Sequence, residues 1–159
     1  MDRPVTGRAE RGSVSIEVAV LAPAFIALLV LAGVAGRTAI AQEAIGSAAH
    51  DAARAASISR TADTARDAAI EAVEASLDWQ QMSCTGAPQL AFSGSVAGTP
   101  TSFDEAFTGG TGTIATVTVR VTCVVSYADI HLSTLPGMPD GTTVSASFTS
   151  PLDRYRSRG

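Results

Sequence analysis

The sequence predicts an α+β fold: a long N-terminal membrane-spanning helix continuing into a soluble helical region, packed with a small C-terminal antiparallel sheet. Three observations predict it. Residues 18–36 form an unbroken apolar run, residues 37–82 are rich in alanine at helical spacing, and residues 115–127 alternate between apolar and polar side chains. The chain has 159 residues and a mass of 16.1 kDa, enough for one modest domain and too short for two full ones. Hydrophobic residues at 46% and charged residues at 16% argue against a disordered chain. A net charge of −4 and a pI near 5.0 exclude a broad basic surface, so nucleic acid is not an expected partner.

The apolar run reads VAVLAPAFIALLVLAGVAG, 19 consecutive residues from Val18 to Gly36. As a helix it is roughly 28 Å long, close to the ~30 Å hydrocarbon core of a bilayer. Ten of the 19 are Val, Leu, Ile or Phe. At roughly −0.3 to −0.6 kcal/mol each near the bilayer centre, they favour insertion by several kcal/mol. A buried core helix would carry a polar stripe, and this segment has none. Arg3, Arg8 and Arg11 precede the run. The positive-inside rule therefore keeps the N-terminus cytoplasmic and sends the residues after 36 across the membrane. Within the helix, Pro23 removes one backbone hydrogen bond, and Ala32 and Gly36 have the small-xxx-small spacing that lets helices approach closely.

Three fates are open to such an N-terminus: a cleaved secretory signal, an uncleaved anchor, or a prepilin leader cut on the cytoplasmic side with the apolar stretch retained. Ala39-Ile40-Ala41 before Gln42 offers a small-residue site for the first. The apolar region exceeds the usual secretory length of about 7–15 residues. The residues before the run are Arg11-Gly12-Ser13-Val14-Ser15-Ile16-Glu17. A carboxylate at a membrane edge is unusual, because an ionised group in a membrane helix is costly. A cut after Gly12 makes Ser13 the new N-terminus and Glu17 the fifth residue. A free amine and a carboxylate at that spacing can pair, within one helix or between neighbours, and in low dielectric the pairing offsets much of the burial cost.

Beyond the run, Ala-rich residues 37–60 continue the helix, with Ile40, Ala44, Ala48, Ala52 and Ala56 in one i,i+4 row suited to close packing. A second helix is expected over about 62–82, burying Ile70, Val73 and Leu77, with Asp63, Asp67, Glu71, Glu74 and Asp78 on its solvated face. Ala115, Val117, Val119, Val121, Cys123, Val125 and Tyr127 mark one face of a half-buried strand. Leu90, Phe92 and Val96 suggest a strand before it, and Val144, Ala146 and Phe148 one after it. The runs SGSVAGTPTS, TGGTGT and 135–141 read as turns. Cys84 and Cys123 both fall on the exported side, where a disulfide is permitted. A bridge would tie the end of the second helix to the sheet.

The residues from 8 to 60 resemble the TadE-like pseudopilins, minor components of tight-adherence pilus systems in the type IV filament superfamily. Gly12 matches the glycine before the prepilin-peptidase cut, and Glu17 the acidic fifth mature residue. RGSVSIEVAVLAPAFIALLVLAG is similar to the family's short basic leader, Glu and Pro-containing apolar helix. AQEAIGSAAHDAARAAS, residues 41–57, is similar to the polar turn and Ala-Ala-Arg stretch that follows it. The chain departs at Val18, where the family commonly has an aromatic residue. The resemblance implies cleavage between Gly12 and Ser13 by a prepilin peptidase and lateral helix packing with other pseudopilins. It implies contact with pilus-assembly platform proteins, and a place in the bacterial cytoplasmic membrane with passage into a surface pilus.

No catalytic, cofactor-binding or metal site is expected. Ser126, Asp129 and His131 supply triad residue types without a nucleophile-elbow glycine pattern. His50 lacks a second ligand at i,i+4, and TGGTGT lacks the lysine and following helix of a phosphate loop. The expected organisation is a cytoplasmic leader at 1–12, a membrane helix with its soluble extension at 13–60 and a second helix at 61–83. A β-rich extracytoplasmic domain at 84–150 and a polar tail at 151–159 follow. The competing readings are a generic single-pass anchored binding domain and a secreted domain with its signal removed.

Overall fold

The computed structural model describes residues 11–127 and 141–155, with side chains from residue 17 onward. Residues 1–10, Asp129, His131, the turn run up to Asp140 and residues 156–159 lie outside the described residues. The fold is α+β. Its elements are α1 (Arg11–Ile58), α2 (Ala62–Trp79), β1 (Gln89–Val96), β2 (Thr99–Thr101), α3 (Phe103–Phe107), β3 (Ala115–Ser126) and β4 (Gly141–Pro151). The chain divides between Arg37 and Thr38 into two compact units.

In the second unit, alanine sets the packing distance. Ala44, Ala48, Ala52 and Ala56 are buried as the i,i+4 row predicts, beside a second lane of Ala41, Ile45, Ala49 and Ala53. Ile40 departs from the expected row and is 67% exposed, because the buried stripe begins at Ala41. Apart from Ile45, methyl-sized side chains on two lanes let the helix approach closely while burying little bulk. The helix stops after Ile58, where the Ser57 and Ser59 hydroxyls donate back to the carbonyls of Arg54 (2.8 Å) and Ala55 (3.2 Å).

Thr61 then caps α2, accepting from the Thr64 backbone N–H (3.3 Å), while the Thr64 hydroxyl accepts from the Thr61 N–H. Ala65, Ala69, Val73 and Leu77 are buried, strictly four apart. Ile70, expected on this face, is 41% exposed, since the contact follows a single i±4 ridge and Ile70 lies beside it. The helix ends at Trp79 rather than near 82. Gln81 takes a left-handed conformation (φ 54°), and the Met82 N–H returns to the Leu77 carbonyl at 2.9 Å.

The sheet has the order β2-β1-β3-β4 and is antiparallel throughout. β3 is its centre, pairing with β1 from Gln89↔Thr122 to Val96↔Ala115 and with β4 from Thr116↔Pro151 to Ser126↔Gly141. Alternation is complete along it: Ala115, Val117, Val119, Val121, Cys123 and Val125 face inward, and Thr116, Thr118, Arg120, Thr122, Val124 and Ser126 face outward. The inward row meets the alanines of α1, the buried row of α2, Phe103 and Phe107 in one core. The run SGSVAGTPTS is a strand–turn–strand rather than a plain turn. Val96 pairs with Thr99, leaving Ala97 (φ 50°) and Gly98 (φ 83°) as a two-residue hairpin loop of the kind that matches sheet twist.

The short helix α3 is an element the hydrophobic periodicity does not announce, because five residues are too few to set a period. It is held by an N-cap. The Ser102 hydroxyl accepts from the Glu105 N–H at 3.2 Å, and the Glu105 carboxylate accepts from the Thr101 and Ser102 hydroxyls. These contacts hold the Glu105 carboxyl below its usual range, chiefly through the Thr101 hydroxyl. Its pKa is therefore lower folded than unfolded, so the contribution is fully present above the ordinary carboxylate range and is lost as pH falls from that range through the lower folded value. Acidification is expected to lower protection of the α3 amides, relative to their intrinsic exchange rates, before that of β3, and Glu105→Gln should abolish this pH dependence of protection. Equal acid sensitivity in wild type and variant would remove Glu105 as the cause.

Candidate functional site

The first unit carries the residues the sequence singles out. Gly12 and Ser13 lie in the first turn of α1, and Glu17 one turn further on. The Glu17 side chain is exposed and forms no ion pair among the described residues. Directly after it come Val18, Val20, Leu21, Phe25, Ile26, Leu28, Leu29 and Leu31, all between 57% and 70% exposed. These side chains point in several directions around the helix, so no single seam covers them. A helix apolar on all sides is stable only inside protein or lipid. By length and composition it is able to cross a membrane, and it stands near the N-terminus.

Pro23 sits inside α1 without ending it. An added Cβ at Gly33 or Gly36 would meet nothing within 4 Å, so these positions present open backbone to any neighbour. Ala39-Ile40-Ala41, the small-residue site considered for secretory cleavage, lies within the continuous helix α1. Ala41 belongs to the core of the second unit, and the Thr38 hydroxyl hydrogen-bonds the Tyr127 hydroxyl at 3.0 Å.

Three features hold the second unit together. Cys84 and Cys123 are joined by a disulfide, with Cα atoms 5.4 Å apart. The bond ties the segment after α2 to the centre of the sheet. The Arg66 guanidinium bridges α2 to α3: it donates to Asp63 at 3.0 Å, hydrogen-bonds Asp104, and lies 5.1 Å over the Phe103 ring. The Ser150 hydroxyl donates to that of Ser57 at 3.0 Å, a buried bond between β4 and α1. Sequence reasoning missed the last two, whose partners lie 38 and 93 residues apart. The α3 cap did leave a signal, the Ser-x-x-Glu spacing of Ser102 and Glu105.

His50 packs edge-on against Phe148, with ring centroids 4.4 Å apart and Nδ1 3.3 Å from Asp51. Among the described residues no three His, Cys, Asp or Glu side chains are grouped to hold a metal ion. Asp67, Glu71, Glu74 and Asp78 stand exposed along α2.

Among the described residues, one apolar helix long enough to cross a membrane leads into a small helix-on-sheet unit, an arrangement that suggests membrane anchoring. Comparison with protein families is specific: residues 12–54 match the family described as TadE-like protein. The match covers Gly12, Ser13, Glu17 and the whole apolar run. No curated protein and no solved structure matches the chain.

Proposed function

We propose that this chain is a minor pseudopilin, a structural component in the assembly of a Tad-type pilus or a related secretion system. The observation that carries the reading is the apolar helix, none of whose residues from Val18 to Gly36 is buried, placed directly after Gly12 and Glu17, inside the TadE-like segment. In this reading residues 1–12 are a cytoplasmic leader, removed by a prepilin peptidase between Gly12 and Ser13. The helix is retained in the bacterial cytoplasmic membrane as a single pass, and the β-rich part is extracytoplasmic. The new amine at Ser13 and the Glu17 carboxylate then form a charge pair within or between helices, which guides lateral packing with other pseudopilins and with the assembly platform. Continuity of α1 through Ala41 and the burial of Ala41 support retention over secretory cleavage.

The test is the N-terminal mass of the membrane-extracted protein, with and without the cognate peptidase. A peptidase-dependent start at Ser13 is expected, with Gly12→Leu leaving the chain intact. A start at Met1 with active peptidase present would leave an anchored binding domain instead, and a start near Gln42 a secreted one. With processing established, Glu17→Gln should leave cleavage intact and reduce co-purification with other pseudopilins.

A further inference from the structure

The two sulfurs of the Cys84–Cys123 bond stand in unlike surroundings. Cys123 is 1% exposed, on the inward row of the central strand. It is held there by its pairing with Val144 on β4, and the ladder to β1 begins one residue away at Thr122. Cys84 is partly exposed and lies in residues 82–88, which form neither helix nor strand. The Met82 N–H returns to the Leu77 carbonyl, and the Thr85 N–H donates to the Val124 carbonyl at 2.7 Å. Met82 and Cys84 pack at the margin of the core rather than within it. Local opening of residues 82–88 therefore uncovers Cys84 and leaves the β1–β3 ladder from Gln89↔Thr122 onward in place. Uncovering Cys123 requires breaking the core itself.

This asymmetry selects the reacting sulfur. In thiol–disulfide exchange a thiolate attacks one sulfur and the other leaves, so access decides which sulfur is captured. We propose that the unit after Thr38 is a substrate for a thiol–disulfide oxidoreductase that acts at Cys84, with Cys123 as the buried leaving and resolving thiol. In the reducing direction, a thiolate of the partner's dithiol attacks the Cys84 Sγ. The bond to Cys123 breaks, and its electron pair leaves on the Cys123 Sγ, which takes up a proton. The partner's second thiolate then attacks its own sulfur in the mixed disulfide and releases Cys84, which is protonated in turn. The partner's dithiol is oxidised by two electrons, and the Cys84–Cys123 bond is reduced. Bond formation runs the same steps in reverse, with the partner's disulfide as oxidant. A dithiol suits this site better than a monothiol. Cys123 stays beside the mixed disulfide, its Cα 5.4 Å from that of Cys84 in the closed bond, and displaces a monothiol before a second one arrives. A dithiol carries its second sulfur with it.

The full chain in detergent tests this, without need of leader processing or of the function proposed above. The first probe is reduced glutathione, with the reaction quenched in acid and the adduct located by peptic digestion and mass. In the folded chain the adduct is expected on Cys84 over Cys123 by roughly tenfold or more, and in concentrated urea on both about equally. An equal split in the folded chain, or an excess on Cys123, would overturn the proposal. So would β3 amides that exchange as fast as the adduct forms, because the sheet would then open before the sulfur is reached. The second probe is a thioredoxin whose second active-site cysteine is replaced by serine. A mixed disulfide between it and Cys84 of the folded chain is expected. Adducts with glutathione and none with the thioredoxin would overturn the choice of a protein dithiol as partner.

Discussion

Replacing Cys84 and Cys123 together with alanine is expected to lower the stability of the unit after Thr38 by about 4 kcal/mol. The bond closes a separation of 39 residues, and constraint of the unfolded chain by a loop of that size gives the figure. The loss is large relative to the core. The inward row of β3 is mostly valine, and the facing helix contributes chiefly methyl groups. Valine–alanine contacts bury less area than leucine–phenylalanine ones, so each layer contributes less. Reductant added to the wild type should reproduce most of the loss, since it breaks the cross-link and leaves both side chains in place. Urea midpoints read from exchange of β3 amides measure both. A midpoint unmoved by reduction would mean that packing alone holds the unit.

Gly94→Val is expected to cost about 2 kcal/mol, the range for overpacking a well-filled site. A Cβ at Gly94 would stand 2.7 Å from the Ala106 Cβ and 2.9 Å from the Ser102 carbonyl oxygen. Neither neighbour is the movable end of a long side chain, so α3 as a whole must shift off β1. The shift pulls on the Ser102–Glu105 cap and on the Arg66–Asp104 pair, and α3 should open before the sheet does. Ser93→Val, one residue away on the outer face, should change stability by no more than about 0.5 kcal/mol. Ala106→Gly relieves the 2.7 Å contact and should show favourable coupling with Gly94→Val in a double-mutant cycle. Additive effects would show that α3 does not press on Gly94.

The sequence alone determined features that depend on near neighbours. The 19-residue run from Val18 to Gly36 needs no partner to be read, because the capacity to cross a membrane follows from length and local hydropathy. The same holds for the strand from Ala115, whose period of two is a local property, and for α2, whose apolar and acidic residues recur at helical spacing. Gly12, Ser13 and Glu17 were legible as a spacing before an apolar run, and the TadE-like match falls on the same residues. Less legible were positions where two elements compete for one space. Ile40 and Ile70 have the composition of core residues, yet they fall beside the buried lanes, which run through Ala41, Ala44 and Ile45 on α1 and through Ala69 and Val73 on α2.

Only the tertiary structure decided which strand lies at each edge, because strand order depends on chain reversals that no period records. It also made Gly94 a point of contact rather than a weak strand residue, and brought Arg66 to Asp104 and Ser57 to Ser150. Those contacts join residues tens of positions apart, and their energy exists only once the chain between them has been brought round.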